Sequence, residues 1–196
     1  MVAKEDRQHM TVAEWRALLA ASDIKYEYID GWVYAMAGGS LDHARIGLNA
    51  IRALEDALGD RPCRVYNSDA ATRLSAQRYT FPDVSVTCDP RDQGRATEVG
   101  SPRVIIEVLS ERTEAYDRGD KFRYYRACPT IDEYVLLATA RQSAEVYRRV
   151  AHGWTYAAYG PGDTLPLISL DVHLPIAGLY RRTEVPADPE EPAGKI

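Results

Sequence analysis

The 196-residue sequence lacks the signature motifs of several common enzyme classes. It contains no G-x-x-x-x-G-K-[ST] loop, no G-x-G-x-x-G turn after a strand, no G-x-S-x-G elbow and no H-E-x-x-H helix. Its four histidines lie far apart and share no metal-ligand spacing. These absences argue against a P-loop nucleotide site, a Rossmann dinucleotide site, an α/β-hydrolase and a helical zinc protease.

Cysteines, lysines and long apolar runs are also scarce. The three cysteines include no C-x-x-C pair, which favours reduced thiols in the cytoplasm and argues against structural zinc. No apolar run is long enough to cross a membrane, and no apolar signal core begins the chain, so we expect neither a membrane partner nor secretion. The net charge of −5 does not indicate a strongly basic nucleic-acid-binding protein.

Length and composition indicate one globular domain, which we place at residues 1–182. Residues 183–196 form an acidic tail that contains several prolines. Such a composition is typical of disorder, because it offers little apolar surface to bury. We therefore expect the tail to be disordered.

Capping and turn residues predict two helices and a hairpin in the first third of the chain. Thr11 and Glu14 have the spacing of a capping box and predict a helix to about Ala21. Asp30-Gly31 between two β-prone runs predicts a tight hairpin. Ser40 is the expected N-cap of a second helix that ends at Gly59. We assign its apolar face to six positions: Leu41, Ala44, Leu48, Ile51, Leu54 and Leu58.

The rest of the chain alternates β-prone runs with one long helix. Candidate strands span 63–66, 71–74, 79–87, 103–109 and 131–138, and a second hairpin spans 145–150 and 154–159. The polar loop 89–102 is predicted to be exposed, and 165–180 has no clear assignment. A helix at 113–128 joins two apolar strands, which favours a parallel pair. The order of elements predicts a mixed α/β domain with one central mixed β-sheet flanked by helices.

Two carboxylates occupy strand positions where apolar residues are expected. Asp83 follows Phe81-Pro82, and Glu107 lies within Val104–Leu109. Because strand neighbours alternate faces, Glu107 shares a face with Ile105 and Leu109. A buried carboxylate is costly unless it is paired or binds a cation, and two adjacent ones repel each other. A divalent cation between them relieves both costs, and few hard oxygen ligands with room for water suit Mg²⁺ or Mn²⁺.

Lys121 is the third candidate, because lysine is rare here: four lysines stand against 20 arginines. Asp117, Lys121 and Tyr125 are spaced i, i+4 and i+8 along the predicted third helix and form one stripe. Residues 112–126 hold five basic and three acidic side chains, including Arg112 and Arg118. Two strand carboxylates, a lysine and a local basic surface indicate metal-assisted phosphodiester hydrolysis.

Six further segments occur in order along the chain: Tyr26-Glu27-Tyr28-Ile29-Asp30-Gly31, His43 at the start of the second helix, Pro82-Asp83-Val84, Ile106-Glu107-Val108-Leu109-Ser110, Asp117-Arg118-Gly119-Asp120-Lys121 and Asp132-Glu133-Tyr134. In these segments the sequence resembles the Uma-two family of restriction endonucleases, within the PD-(D/E)xK nuclease superfamily. Together they span about residues 11–150, which is most of the chain. The resemblance implies a restriction-endonuclease-like core with its site at one edge of the sheet.

The resemblance also implies roles for individual residues. Asp83 and Glu107 would bind the metal, and Lys121 would replace the lysine usually found two residues after the strand carboxylate. That usual position is Leu109 here, so the E-x-K tripeptide is broken. The supporting residues would be Glu27, His43 and Asp117, with Arg112 and Arg118 as candidates to contact the substrate. The implied substrate is DNA, cut to leave 5′-phosphate and 3′-hydroxyl ends.

Three hypotheses remain open at this point. The first is a cytoplasmic, Mg²⁺- or Mn²⁺-dependent DNA endonuclease, expected to be a homodimer because cutting both strands usually requires two active sites. The second is a non-catalytic DNA- or protein-binding module on the same fold, favoured by the net acidity and the broken E-x-K. A weaker third hypothesis is a hydrolase of RNA or nucleotides. The first hypothesis requires the ammonium of Lys121 to point to the carboxylates, whereas the second allows it to point to bulk solvent.

Overall fold

The largest element of the fold is a mixed six-stranded sheet. The computed structural model describes residues 9–36 and 38–187. In order across the sheet, the strands are β11 (Gly153–Tyr159), β10 (Ala144–Val150), β9 (Glu133–Leu137), β8 (Pro102–Val108), β6 (Val84–Thr87) and β3 (Arg64–Asn67). β8 and β9 run parallel and the other pairs are antiparallel. The predicted parallel pair and mixed sheet are confirmed.

A second sheet packs beside the first, whereas the sequence predicted one. Its strands, in order, are β2 (Trp32–Ala35), β1 (Tyr26–Ile29), β5 (Arg78–Thr80), β4 (Ala71–Ser75) and β7 (Glu98–Val99). The predicted strand 79–87 is divided between the two sheets, because Pro82 has no N–H to donate to a ladder. The chain therefore turns at 81–83 as it passes from β5 to β6, and this corner carries Asp83.

The helices begin where their caps predict. Helix α1 (Val12–Ala21) has the full capping box of Thr11 and Glu14, and Ser40 caps α2 (Leu41–Leu58). The predicted third helix consists of α3 (Glu114–Tyr116), a π-helical segment (Asp117–Lys121) and α4 (Phe122–Ala127). The stretch 165–180 forms β12 (Thr164–Leu167), a 3₁₀ turn (Ile168–Leu170), β13 (Val172–Pro175) and α5 (Ile176–Leu179).

Helix α2 buries a different face from the one we predicted. Its buried residues are Ile46, Gly47, Ala50, Leu54 and Leu58. Leu41 and Leu48 are 90% and 54% exposed, so the predicted stripe is wrong in its first half. Two overlapping apolar stripes run along this helix. Packing against β3, β8, β13 and α5 selects the stripe through Ile46 and Ala50.

The two faces of β8 enter different parts of the core, as the alternation predicted. Val104, Ile106 and Val108 pack in the cluster beneath α2. Ile105 and Leu109 pack on the opposite side with Tyr125 of α4. Glu107 therefore lies on the face covered by the third helical segment.

The loop 89–102 is less exposed than we predicted. Asp92 is 6% exposed and accepts hydrogen bonds from the Thr87 hydroxyl and from the backbone N–H groups of Gly100 and Ser101. These bonds satisfy the buried carboxylate and draw the loop onto the body, where Val99 is also buried.

Residues just after the boundary that we placed at residue 182 contact the rest of the domain. Val185 is 5% exposed, and Gln142 donates to the carbonyls of Val185 and Pro186. Residues 188–196 of the predicted tail lie outside the described residues. Within the described residues, no helix has both the length and the apolar character needed to cross a bilayer.

Cys63 and Cys88 form a disulfide, which corrects the expectation of reduced thiols. They flank the paired residues Arg64 and Thr87, so β3 and β6 bring them opposite each other. The prediction failed because strand pairing, not local spacing, determines which cysteines meet. Cys128 is buried and free.

Cys63→Ser is expected to lower the free energy of unfolding by about 2–4 kcal/mol, because the disulfide restricts the conformations open to the unfolded chain. Chemical denaturation of the variant and the parent measures the difference, with Cys128→Ser as the control that leaves the bridge intact. Thiol titration of unfolded, non-reduced parent protein should find Cys128 alone reactive. Three reactive thiols would contradict the disulfide.

Candidate active site

A buried ion pair between Glu107 and Lys121 lies at the centre of the candidate site. Lys121 Nζ lies 2.9 Å from Glu107 Oε1, and the Tyr125 hydroxyl donates to the same oxygen at 2.6 Å. Glu107 is 4% exposed and Lys121 is 7% exposed, whereas Tyr125 is fully buried. The lysine thus points into the protein toward the strand carboxylate and away from bulk solvent.

Two further carboxylates face the same ammonium group. Glu27 Oε1 lies 3.4 Å from Lys121 Nζ, and Asp117 Oδ1 lies 3.5 Å from it. Both side chains are buried, and the Phe81 N–H donates to Glu27 Oε1. Asp117 Oδ1 is buried without a hydrogen-bond donor. One lysine therefore faces three carboxylates, so this buried cluster has an excess of negative charge.

Local structure explains why these side chains meet. Glu27 and Ile29 point to the same face of β1, and Ile29 packs in the cluster that holds Ile105 and Leu109 of β8. Asp117 and Lys121 are the first and last residues of the π-helical segment, four positions apart. The Tyr134 hydroxyl donates to the Asp117 carbonyl at 3.0 Å. Such π-helical turns are rare and often occur at functional sites.

Asp83 and His43 form the more exposed side of the site. Asp83 Oδ2 accepts a 2.7 Å hydrogen bond from the N–H of Val108, the residue after Glu107, and lies 3.4 Å from His43 Nε2. Both side chains are about one fifth exposed. His43 fits because Gly39 has no side chain: a Cβ there would lie 2.5 Å from the imidazole Cγ.

Burial and mutual repulsion shift the ionisation of these groups. Burial, with the charges of Asp117 and Asp83, raises the pKa of Glu107 to about 8, although Lys121 opposes the shift. The hydrogen bond to Asp83 raises the pKa of His43. Burial lowers the pKa of Lys121, but the charges of Glu107 and Glu27 outweigh it and raise that pKa well above its usual range. The lysine therefore remains a cation at neutral pH.

Of the two arginines predicted to contact the substrate, Arg118 lies in a different ion-pair network. It donates to both carboxylate oxygens of Glu145 at 2.6 and 2.7 Å and to Glu114 at 2.7 Å. These bonds join the π-helical segment to β10. Arg112 donates to the carbonyl of Gly38, close to His43 along the chain.

Tyr125 is the site residue that the sequence analysis did not propose. Its place on the stripe with Asp117 and Lys121 was visible in the sequence, but a tyrosine in an amphipathic helix is ordinarily part of the core. Its hydroxyl reaches Glu107 only because α4 packs across the face of β8. The spacing therefore placed Tyr125 correctly on the stripe, but its residue type did not distinguish a site residue from a core residue.

Comparison with solved structures supports a nuclease-like α/β fold. The chain is similar to the crystal structure of "a putative nuclease belonging to DUF820" from Anabaena variabilis, with a TM-score of 0.67. The similarity covers 85% of this chain and 96% of that one, at 18% sequence identity. At that identity, the likeness establishes the fold alone.

Sequence comparison then identifies the family. Residues 12–189 match the model of the Uma2 family, described as "Putative restriction endonuclease", and the chain belongs to this family. Two relatives come from Synechocystis sp. "Uncharacterized protein slr1290" is 38% identical over 80% of this chain and 84% of its own length. "Uncharacterized protein sll1609" is 31% identical over 72% of this chain and 81% of its own length.

Proposed function

We propose that this protein is a divalent-metal-dependent endonuclease that hydrolyses phosphodiester bonds in DNA. The observation that carries the proposal is the buried contact between Lys121 and Glu107. A lysine directed at a strand carboxylate is what the nuclease hypothesis requires, and the binding-module hypothesis gives no reason to bury it. Membership of a family described as restriction endonucleases supports the same reaction class.

The lysine position also supports the proposed relation to PD-(D/E)xK nucleases. Leu109, at the usual lysine position, is 3% exposed and belongs to the apolar core. Lys121 reaches the strand carboxylate from the following helical segment instead. The broken E-x-K tripeptide is therefore compatible with a lysine that acts from a different element.

The carboxylates of the candidate site suit a magnesium or manganese ion. Asp83 and Glu107 offer hard carboxylate oxygens, and Asp117 Oδ1, which accepts no hydrogen bond, is consistent with a site that has excess negative charge. Among the described residues, no group of three or more His, Cys, Asp or Glu side chains is arranged to hold a metal. Mg²⁺ does not need one, because it commonly binds through one or two carboxylates, water and substrate phosphate.

In this proposal, Asp83 and Glu107 would hold the cation, and the other site residues position the reacting groups or neutralise charge. The bound cation would lower the pKa of the attacking water and neutralise charge on the phosphate. Lys121 orients that water or stabilises developing negative charge through its N–H groups. Tyr125 holds Glu107, while Glu27 and Asp117 hold the ammonium. His43 donates to a phosphate oxygen at the more exposed side.

The remaining parts of the proposal concern the substrate and the assembly. Arg112 and Arg118 are both proposed to contact the substrate; Arg118 also binds Glu114 and Glu145, and Arg112 also donates to the carbonyl of Gly38. The products would carry 5′-phosphate and 3′-hydroxyl ends. We propose a homodimer that acts in the cytoplasm, where its DNA substrate would lie. Light scattering of the purified protein tests the dimer.

Metal removal is the first test of this function. Nicking and linearisation of supercoiled plasmid should require Mg²⁺ or Mn²⁺ and stop with EDTA. Thermal unfolding provides a readout that is independent of turnover, because an ion that binds only the native state stabilises it by about 2.7 kcal/mol at 100 times its Kd. Asp83→Asn should lose both the metal-dependent cleavage and the stabilisation by metal. A folded protein that gains no stability from either metal and cuts no DNA would favour the binding module.

A further inference from the structure

A cleft of about 570 Å³ adjoins the exposed side of the candidate site. Its lining includes Asp83 and His43, the first half of α2, and the loop between α1 and β1. The volume lies within the range of small-molecule pockets, which is about 300–1,000 Å³. A group bound in this cleft would therefore lie next to the proposed cation site.

Part of the cleft lining is apolar and exposed. Ile24 and Leu48 line it from different elements and are 51% and 54% exposed, and Met36 and Ile51 add further apolar surface. Leu48 is exposed because α2 buries its other apolar stripe. These aliphatic side chains favour a flat, largely apolar group rather than a phosphate. The charged lining is mixed, with Asp23 and Asp83 on one hand and Lys25 and His43 on the other, so it adds no net preference for an anion to the apolar character of the lining.

Gly47 is a buried residue of α2 that also lines this cleft. It lies in the interior of α2, where glycine weakens a helix, and a Cβ at this position would meet nothing within 4 Å. Packing within the protein therefore does not require glycine here. Gly47 does line the cleft, so any longer side chain would extend into it.

We propose that the cleft holds an unpaired nucleobase of the DNA strand that is cut. The inference rests on the proposed function and defines its substrate class: single-stranded DNA, or duplex DNA with a nucleotide out of the stack. A base inside a continuous duplex is stacked and paired on both sides and cannot enter a pocket. A base bound in this cleft would leave its adjoining phosphate near His43 and Asp83, which also line it.

Fluorescence anisotropy of the full-length protein with labelled DNA tests this inference. Three probes of about 20 nucleotides are compared: a single strand, its blunt duplex, and that duplex with one unpaired adenine. Ca²⁺ replaces Mg²⁺ to limit turnover. We expect the two probes with unpaired bases to bind about tenfold more tightly than the blunt duplex, which corresponds to about 1.4 kcal/mol.

Gly47→Leu should remove this preference by filling the cleft. Gly178→Leu is the matched control, because Gly178 also lies in a helix with open space around its Cβ but does not line the cleft. Ile24→Ser removes an exposed apolar side chain from the cleft lining. It tests the same inference if Gly47→Leu fails to fold. Thermal unfolding verifies the fold of each variant.

Equal affinity for all three probes would overturn the inference, and so would an unchanged preference in folded Gly47→Leu and Ile24→Ser. Cleavage assays with Mg²⁺ and Mn²⁺ keep the two proposals distinguishable. A preference for unpaired bases without any cleavage would contradict the nuclease proposal but not the cleft. Metal-dependent cleavage of blunt duplex without a binding preference would contradict only the cleft.

Discussion

Asp83→Asn is expected to lower metal-dependent DNA cleavage by about 100- to 1,000-fold, with little change in the fold. Asparagine keeps an oxygen that can accept the hydrogen bond from the Val108 N–H, so the corner between β5 and β6 retains its support. It removes the negative charge that a divalent cation needs from its ligand. The initial rate of plasmid nicking at saturating Mg²⁺ measures the loss.

Asp92→Asn is the matched control for this experiment. Asp92 also accepts backbone N–H groups, but it fixes the loop 89–102 and contacts none of the candidate site residues in the structure. Its substitution should lower stability and leave the nicking rate nearly unchanged. Glu107→Gln should reproduce the loss seen in Asp83→Asn. Parental nicking rates in both Asp83→Asn and Glu107→Gln would refute the proposed metal ligands.

Lys121→Met should lower the free energy of unfolding by about 3–5 kcal/mol, because it leaves buried carboxylates without their cation. Glu107, Glu27 and Asp117 all lie within 3.5 Å of the ammonium and are buried. The methionine fills a similar volume, so the loss is mainly electrostatic. Urea denaturation measures the change, and the same variant should also lose DNA cleavage.

A double-mutant cycle separates the ion pair from packing. Glu107→Gln combined with Lys121→Met should destabilise less than the sum of the single changes, because Glu107→Gln removes one of the three buried carboxylates that Lys121→Met leaves without a cation. Lys25→Met is the control for stability: Lys25 pairs with Asp69 at the surface, where an ion pair contributes about 1 kcal/mol or less. Equal effects of Lys121→Met and Lys25→Met, or strict additivity in the cycle, would contradict the buried cluster.

Local signals predicted the elements that depend on neighbouring residues. The capping box at Thr11 and Glu14 fixed the start of α1, and Asp30-Gly31 gave the hairpin, in which both residues have positive φ. Strand alternation predicted which face of β8 carries Glu107. Helical spacing predicted that Asp117 and Lys121 share a stripe. Each of these features follows from backbone geometry within a few residues.

Other features depended on contacts between distant segments. The expected strand 79–87 became two strands in different sheets, and α2 used the second of its two apolar stripes. Cys63 and Cys88 met through the pairing of β3 with β6. Arg118 was drawn to Glu145 on β10, although its sequence neighbours placed it in a basic surface. In each case, contact with residues far along the chain determined which of several locally possible arrangements formed.

The sequence by itself determined the residue types of the site. It also determined the strand and helix repeats that set which face each side chain is on. It placed a carboxylate on one face of β8 and a lysine on a helical stripe, because side-chain direction follows from the repeat of the backbone. The tertiary structure alone decided that Lys121, Glu107, Glu27 and Asp117 share one buried space, and that the exposed stripe of α2 borders a cleft. Burial and charge proximity arise only when β1, β8 and the third helical segment pack together.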